Sequence, residues 1–87
     1  MKEKDIRQFV SEYLIKRLES VGLSTGDIRG GFDFIQSGLL DSMAFVDMIS
    51  AMEEHFGVEI DFEEEVEDNN FTNMKGLTQI FLKKNND

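Results

Sequence analysis

Asp41-Ser42-Met43-Ala44-Phe45-Val46-Asp47-Met48-Ile49-Ser50-Ala51-Met52-Glu53-Glu54-His55-Phe56-Gly57 is the stretch on which the fold turns. Phe45, Met48, Ile49, Met52 and Phe56 recur at steps of three, one, three and four. That spacing puts them on one side of a helix and turns them toward a core. The pattern predicts a helix over residues 42–56, capped by Asp41 and ended by Gly57. At 100° per residue, Met43, Asp47, Ser50 and Glu54 fall together on the opposite side. Ser42 heads the helix. Its primary hydroxyl is expected at an exposed N-terminus, where the backbone dipole favours a phosphate.

Upstream, Ile6, Phe9, Val10, Tyr13, Leu14 and Leu18 predict a helix over residues 3–20, with Gly22 as its stop signal. Residues 23–40 hold four glycines and no clear period. They form a long connection, expected to be pinned to the core by Phe32, Phe34 and Ile35. Downstream, Val58 and Ile60 mark a short extended link, and residues 62–66 a short third helix. Asp68-Asn69-Asn70 marks a turn. Asn73 is expected to cap a last helix from Met74 to about Leu82, with Met74, Leu77, Thr78 and Phe81 on one face. Lys83 and Lys84 suit the C-terminal end of that helix, and residues 85–87 are expected to fray. Phe45, Ile49, Met52 and Phe56 are expected to pack on the first and last helices, against Phe9, Tyr13, Leu77 and Phe81. Strand signals are weak. The expected class is all-α: one domain over residues 1–87, with three main helices, one short helix and a long first loop.

Composition narrows the function. The chain has no cysteine, hence no disulfide and no thiol of its own. A net charge of −9 argues against nucleic-acid binding. No lysine or arginine lies between Gly30 and Met74, a stretch that holds twelve of the eighteen acidic residues. An acidic middle of this kind is expected to meet basic partners. No stretch approaches the roughly 20 apolar residues of a membrane helix, and the N-terminus lacks an apolar signal region. A cytoplasmic monomer without stable membrane insertion is the expectation.

Catalytic equipment is nearly absent. A serine nucleophile needs a base within hydrogen-bond reach. The single histidine, His55, lies thirteen residues along the same helix, which places it about 20 Å away. It is expected to be an ordinary residue near a helix end. Asp41 is adjacent to Ser42, but a solvated carboxylate is a poor base for a hydroxyl. The run from Asp61 to Asn70 has no glycine, and no register of it supplies the ligands of a calcium-binding loop. No glycine-rich phosphate loop is present, and Gly30-Gly31 lacks that context. Ser42 therefore reads as an attachment point.

From Phe34 to Phe81 the chain resembles acyl carrier proteins and the related peptidyl and D-alanyl carrier proteins. The lead-in is Ser37-Gly38-Leu39-Leu40, the motif Asp41-Ser42-Met43, and the helix ends Met52-Glu53-Glu54-His55-Phe56-Gly57. Phe71-Thr72-Asn73-Met74 fits the start of the family's last helix. The resemblance implies an acyl-carrier-like four-helix bundle and a non-enzymatic role. It implies a 4'-phosphopantetheine arm, transferred from coenzyme A to Ser42 by a phosphopantetheinyl transferase. The arm's thiol would hold acyl or aminoacyl groups as thioesters, as in fatty-acid biosynthesis. The implied partners are the transferase, the enzymes that load cargo and those that act on it next. Met43, Asp47, Ser50 and Glu54 are expected to form the docking face. Two features depart from fatty-acid carriers: Ala44 and Phe45 follow the motif, and the segment between Ile60 and Phe71 is longer. The cargo is therefore not carried over. The wording Leu-Leu-Asp-Ser-Met is similar to D-alanyl carriers. An unmodified helical adaptor of the same fold is the alternative.

Overall fold

A computed structural model of the chain describes residues 1–61 and 72–85. Among the described residues the helices are α1 (Glu3–Ser20), α2 (Ser42–Phe56) and α3 (Met74–Asn85), with a 3₁₀ turn at Thr25–Asp27 between the first two. The described residues contain no strand, only an isolated antiparallel bridge between Asp33 and Asn73. The all-helical class follows. The expected short helix at 62–66 and the turn at 68–70 lie outside the described residues.

α1 begins where the Lys2 amide donates to the Asp5 carboxylate at 2.9 Å. It ends in a reversed turn: Leu23 N–H donates to the Leu18 carbonyl at 2.8 Å and Gly22 N–H to that of Glu19 at 3.2 Å. The turn needs positive φ, and Gly22 supplies it at 77°. The α1 residues with no exposed surface are Ile6, Val10, Leu14 and Leu18, spaced four apart. This row faces both α2 and α3.

α2 has the bounds that its spacing predicts. Gly57 closes it at φ 69°, with Val58 N–H donating back to the Glu53 carbonyl at 3.2 Å. The Glu53 carboxylate accepts from Ile60 N–H at 2.9 Å, which ties the outgoing link to the helix and helps seat Ile60 in the core. α3 starts as expected, with the Asn73 side chain accepting from Gly76 N–H at 2.7 Å. It runs three residues past Leu82, so Asn85 belongs to the helix rather than to a frayed end.

Phe34, Phe45 and Phe81 are the largest fully buried side chains. One expectation about the core is corrected: Tyr13 is 45% exposed. Phe56 packs on Phe9 and Phe81 as expected, with ring centroids at 5.7 and 6.2 Å, and is half-buried on the margin of the core. The buried row of α1 runs through Val10 and Leu14, so Phe9 and Tyr13 stand at its flank. There Phe9 meets the end of α2, with ring centroids 4.7 Å from His55 and 5.7 Å from Phe56. Tyr13 stacks on Phe9 at 6.1 Å from the outside. His55 is exposed, as an ordinary helix-end residue would be.

The long first connection is ordered by few but strong devices. Ile28, Phe34, Leu39 and Leu40 are buried, and Phe32 and Ile35 pack against the same core. The Met74 and Lys75 amides at the start of α3 donate to the carbonyls of Phe32 and Gly30, each at 3.0 Å. The connection thereby satisfies two of the orphan donors that every helix start presents.

Candidate functional site

Ser42 is the first residue of α2 and is exposed. Its position is set from both sides. Before it, Leu39 and Leu40 are buried and anchor the approach. After it, Phe45 is 2% exposed and stands 6.0 Å, centroid to centroid, from Phe34. Asp41 is the N-cap: its carboxylate accepts from Ala44 N–H at 2.8 Å, and its carbonyl accepts from Phe45 N–H at 2.9 Å.

That cap changes the helix-start picture in one respect. Ala44 N–H is committed to Asp41, so it is not free to meet an incoming group. The amides of Ser42 and Met43 have no acceptor among the described residues and keep the positive end of α2 open.

Other hydroxyls contrast with Ser42. Ser20 Oγ donates to the Arg17 carbonyl at 2.7 Å. Ser24 Oγ lies 3.3 Å from the Asp27 carboxylate. Ser37 Oγ donates to the Phe34 carbonyl and accepts from Leu39 N–H, both at 3.3 Å. Ser42 Oγ makes no such bond among the described residues. Ser50 is exposed but sits in mid-helix, where backbone amides are already paired.

Met43, Asp47, Ser50 and Glu54 are all exposed, and the helix repeat places them on one side of α2. They span twelve residues, about 16 Å of helix axis. Met43 is 76% exposed. Val46, at 44%, is a further apolar residue of this surface. Its position one residue past Phe45 turns it 100° away from the core stripe, a signal already present in the spacing. The cleft of about 260 Å³ between α1 and α3, walled by Arg7, Met74, Thr78 and Leu82, includes none of these residues.

Asp33 and Thr72 meet in a contact that no local pattern signals. One Asp33 oxygen accepts from Ile35 N–H at 2.9 Å and Gln36 N–H at 2.8 Å. The other accepts from Thr72 Oγ1 at 2.6 Å. Burial pushes the Asp33 carboxyl up, but the Gln36 amide, the Thr72 hydroxyl and the Ile35 amide outweigh it, and its pKa lies below the ordinary 3.8. An aspartate two residues before a turn amide is a readable local signal. The threonine, thirty-nine residues away, is not.

Among the described residues, no three His, Asp or Glu side chains gather to hold a metal ion. Nor is any helix there long and apolar enough to cross a membrane.

A family model described as phosphopantetheine attachment site matches residues 12–75. No curated protein and no solved structure matches the chain. The matched region runs from the middle of α1, through all of α2, into the first turn of α3. Domains of this family are carriers without catalytic activity, and the prosthetic group they bind is 4'-phosphopantetheine. The start of α2 fits that group: an unpartnered, exposed hydroxyl beside two open amides suits a phosphate ester and a solvated arm. With nearly three-quarters of its length inside the match, this chain belongs to the phosphopantetheine-binding carrier family.

Proposed function

We propose that the protein acts as one acyl-carrier-like domain that shuttles acyl or aminoacyl groups, with Ser42 as the attachment site. The observation that carries this is the state of Ser42 at the head of α2. Its hydroxyl is exposed and uncommitted, Asp41 is turned to the Ala44 amide, and the Ser42 and Met43 amides are open. Those amides would face the phosphate of the arm, and the dipole of a fifteen-residue helix favours its charge. The arm supplies a thiol, which this chain lacks, for holding cargo as a thioester. Asp41 acts by fixing the first turn rather than by taking a proton.

The partners of this proposal are a phosphopantetheinyl transferase and the biosynthetic enzymes that load and use the cargo, met by a monomer in the cytoplasm. Met43 and Val46 offer the apolar part of a docking face, and Asp47 and Glu54 offer its charge. Exposed carboxylates speed encounter with basic partners and lose that effect in salt. Asp47→Lys with Glu54→Lys should slow modification several-fold at low salt and leave the circular dichroism unchanged.

Intact mass after incubation with coenzyme A and a broad-specificity transferase tests the attachment. One arm on the wild type and none on Ser42→Ala is the expected result. Full modification of Ser42→Ala would move the site to another serine. A wild type that takes no arm would favour the unmodified adaptor.

A further inference from the structure

We propose that Asp33 and Thr72 form a clip that positions Ser42, holding the loop that presents it in the arrangement a modifying enzyme takes up. This inference rests on Ser42 being the attachment site.

The clip joins two distant parts of the chain. Asp33 uses one carboxylate oxygen to fold its own turn, through the amides of Ile35 and Gln36. A local turn needs no more than that. The second oxygen is spent on Thr72 Oγ1, two residues before α3, at 2.6 Å. Around this contact the two strands of chain lie side by side. Phe34 N–H donates to the Thr72 carbonyl at 2.9 Å, and Met74 N–H donates to the Phe32 carbonyl at 3.0 Å.

From the clip the path to Ser42 is short and continuous. Phe34, next to Asp33, is fully buried and stands against Phe45 in the first turn of α2. The Phe34 carbonyl accepts from Leu40 N–H at 2.9 Å. The Asp33 carbonyl accepts from Ser37 N–H at 3.1 Å, and that of Ile35 from Gly38 N–H at 3.0 Å. Leu40 is followed directly by the cap Asp41 and by Ser42. The path from Thr72 to Ser42 thus runs through the Asp33 side chain, a buried ring pair, backbone hydrogen bonds and the three consecutive residues Leu40, Asp41 and Ser42. Loosening the clip leaves the helices intact and frees the loop that carries the serine. A carrier whose competent arrangement is only partly populated binds its enzyme with an affinity reduced by that fraction.

Thr72→Val removes the hydroxyl at constant size, and Thr72→Ser restores it. Transferase kinetics read by intact mass, together with backbone amide NMR signals, test the clip on the full chain. Thr72→Val should lower kcat/KM roughly five- to tenfold, through KM and with kcat nearly unchanged, because the bound enzyme holds the loop in place. The Leu40 and Ser42 amide signals should move or broaden, while those of Val10 and Leu14 in α1 stay in place. Thr72→Ser should recover both readouts. Should Thr72→Val fail to fold by circular dichroism, Thr72→Ala replaces it, with the same expected losses, since it too leaves Asp33 without the hydroxyl. Unchanged KM together with unmoved Leu40 and Ser42 signals would overturn the proposal, as would a loss that Thr72→Ser does not recover. If the wild type takes no arm at all, the attachment reading falls, and the amide signals alone decide the clip.

Discussion

The first connection and α2 adjoin each other and pack on the same core, yet they are held by different means. α2 repeats one local rule: an apolar residue at every third or fourth place, a capping aspartate and a closing glycine. Residues 21–41 repeat nothing. They are held by four buried side chains, by the Asp33 carboxylate, and by carbonyls lent to the start of α3. A periodic element spreads its stability over many equivalent contacts. An aperiodic one concentrates it in a few, and each of those is irreplaceable.

The sharpest way to break this comparison is to truncate one ring from each region. Phe34 and Phe45 are both essentially buried and face each other. Phe34→Ala and Phe45→Ala should each cost about 3 to 5 kcal/mol in denaturant titration. A loop ring that counts as much as a helix ring shows that the connection is part of the core. A Phe34→Ala loss below about 1 kcal/mol would show instead that the connection only rests on it.

A second pair of variants sharpens where the helical stripe stops. Phe56 continues the α2 pattern but is only half-buried. Phe56→Ala should cost about 1 to 2 kcal/mol, in proportion to the smaller area it removes from water. Tyr13→Ala, at a 45% exposed position, should cost less than about 0.5 kcal/mol. A Tyr13→Ala cost equal to that of Phe56→Ala would place the margin of the core farther out on α1.

The smallest effect belongs to the charged clip and is read from its pH dependence. The folded pKa of Asp33 lies below the ordinary 3.8. The folded state therefore favours the carboxylate. This contribution is complete above the unfolded pKa and is lost as pH falls from about 3.8 through the lower folded value. The stability difference between wild type and Asp33→Asn should be constant near neutral pH and shrink below about pH 4. A difference that does not change with pH would separate the Asp33 contribution from its charge.

Salt should bear on both regions, since the stretch from Gly30 to Met74 carries twelve carboxylates and no lysine or arginine, and screening weakens their repulsion.

Much of the candidate site is legible in the sequence. The bounds of α1 and α2, the Asp41 and Asn73 caps, the Gly57 stop and the outward face of Met43, Asp47, Ser50 and Glu54 all follow from spacing and end signals within a few residues. Such features are local, and local geometry is readable from local sequence. The outward turn of Val46 follows from the same arithmetic. Tyr13 and Phe56 show where that arithmetic fails. A helical stripe says which way a side chain turns, but not whether a neighbouring element extends far enough to cover it.

Three helical segments, a serine at the head of the second and a single histidine too far along that helix to serve it follow from the residues alone. Those outcomes rest on the helical repeat and on capping chemistry, which act over one or two turns. How the aperiodic connection is held emerges from packing and long-range contacts. The Asp33–Thr72 bond and the Asp33–Asn73 bridge join residues about forty positions apart. No short-range pattern encodes such a pairing, because it exists only once α1, α2 and α3 have packed and brought the two segments side by side.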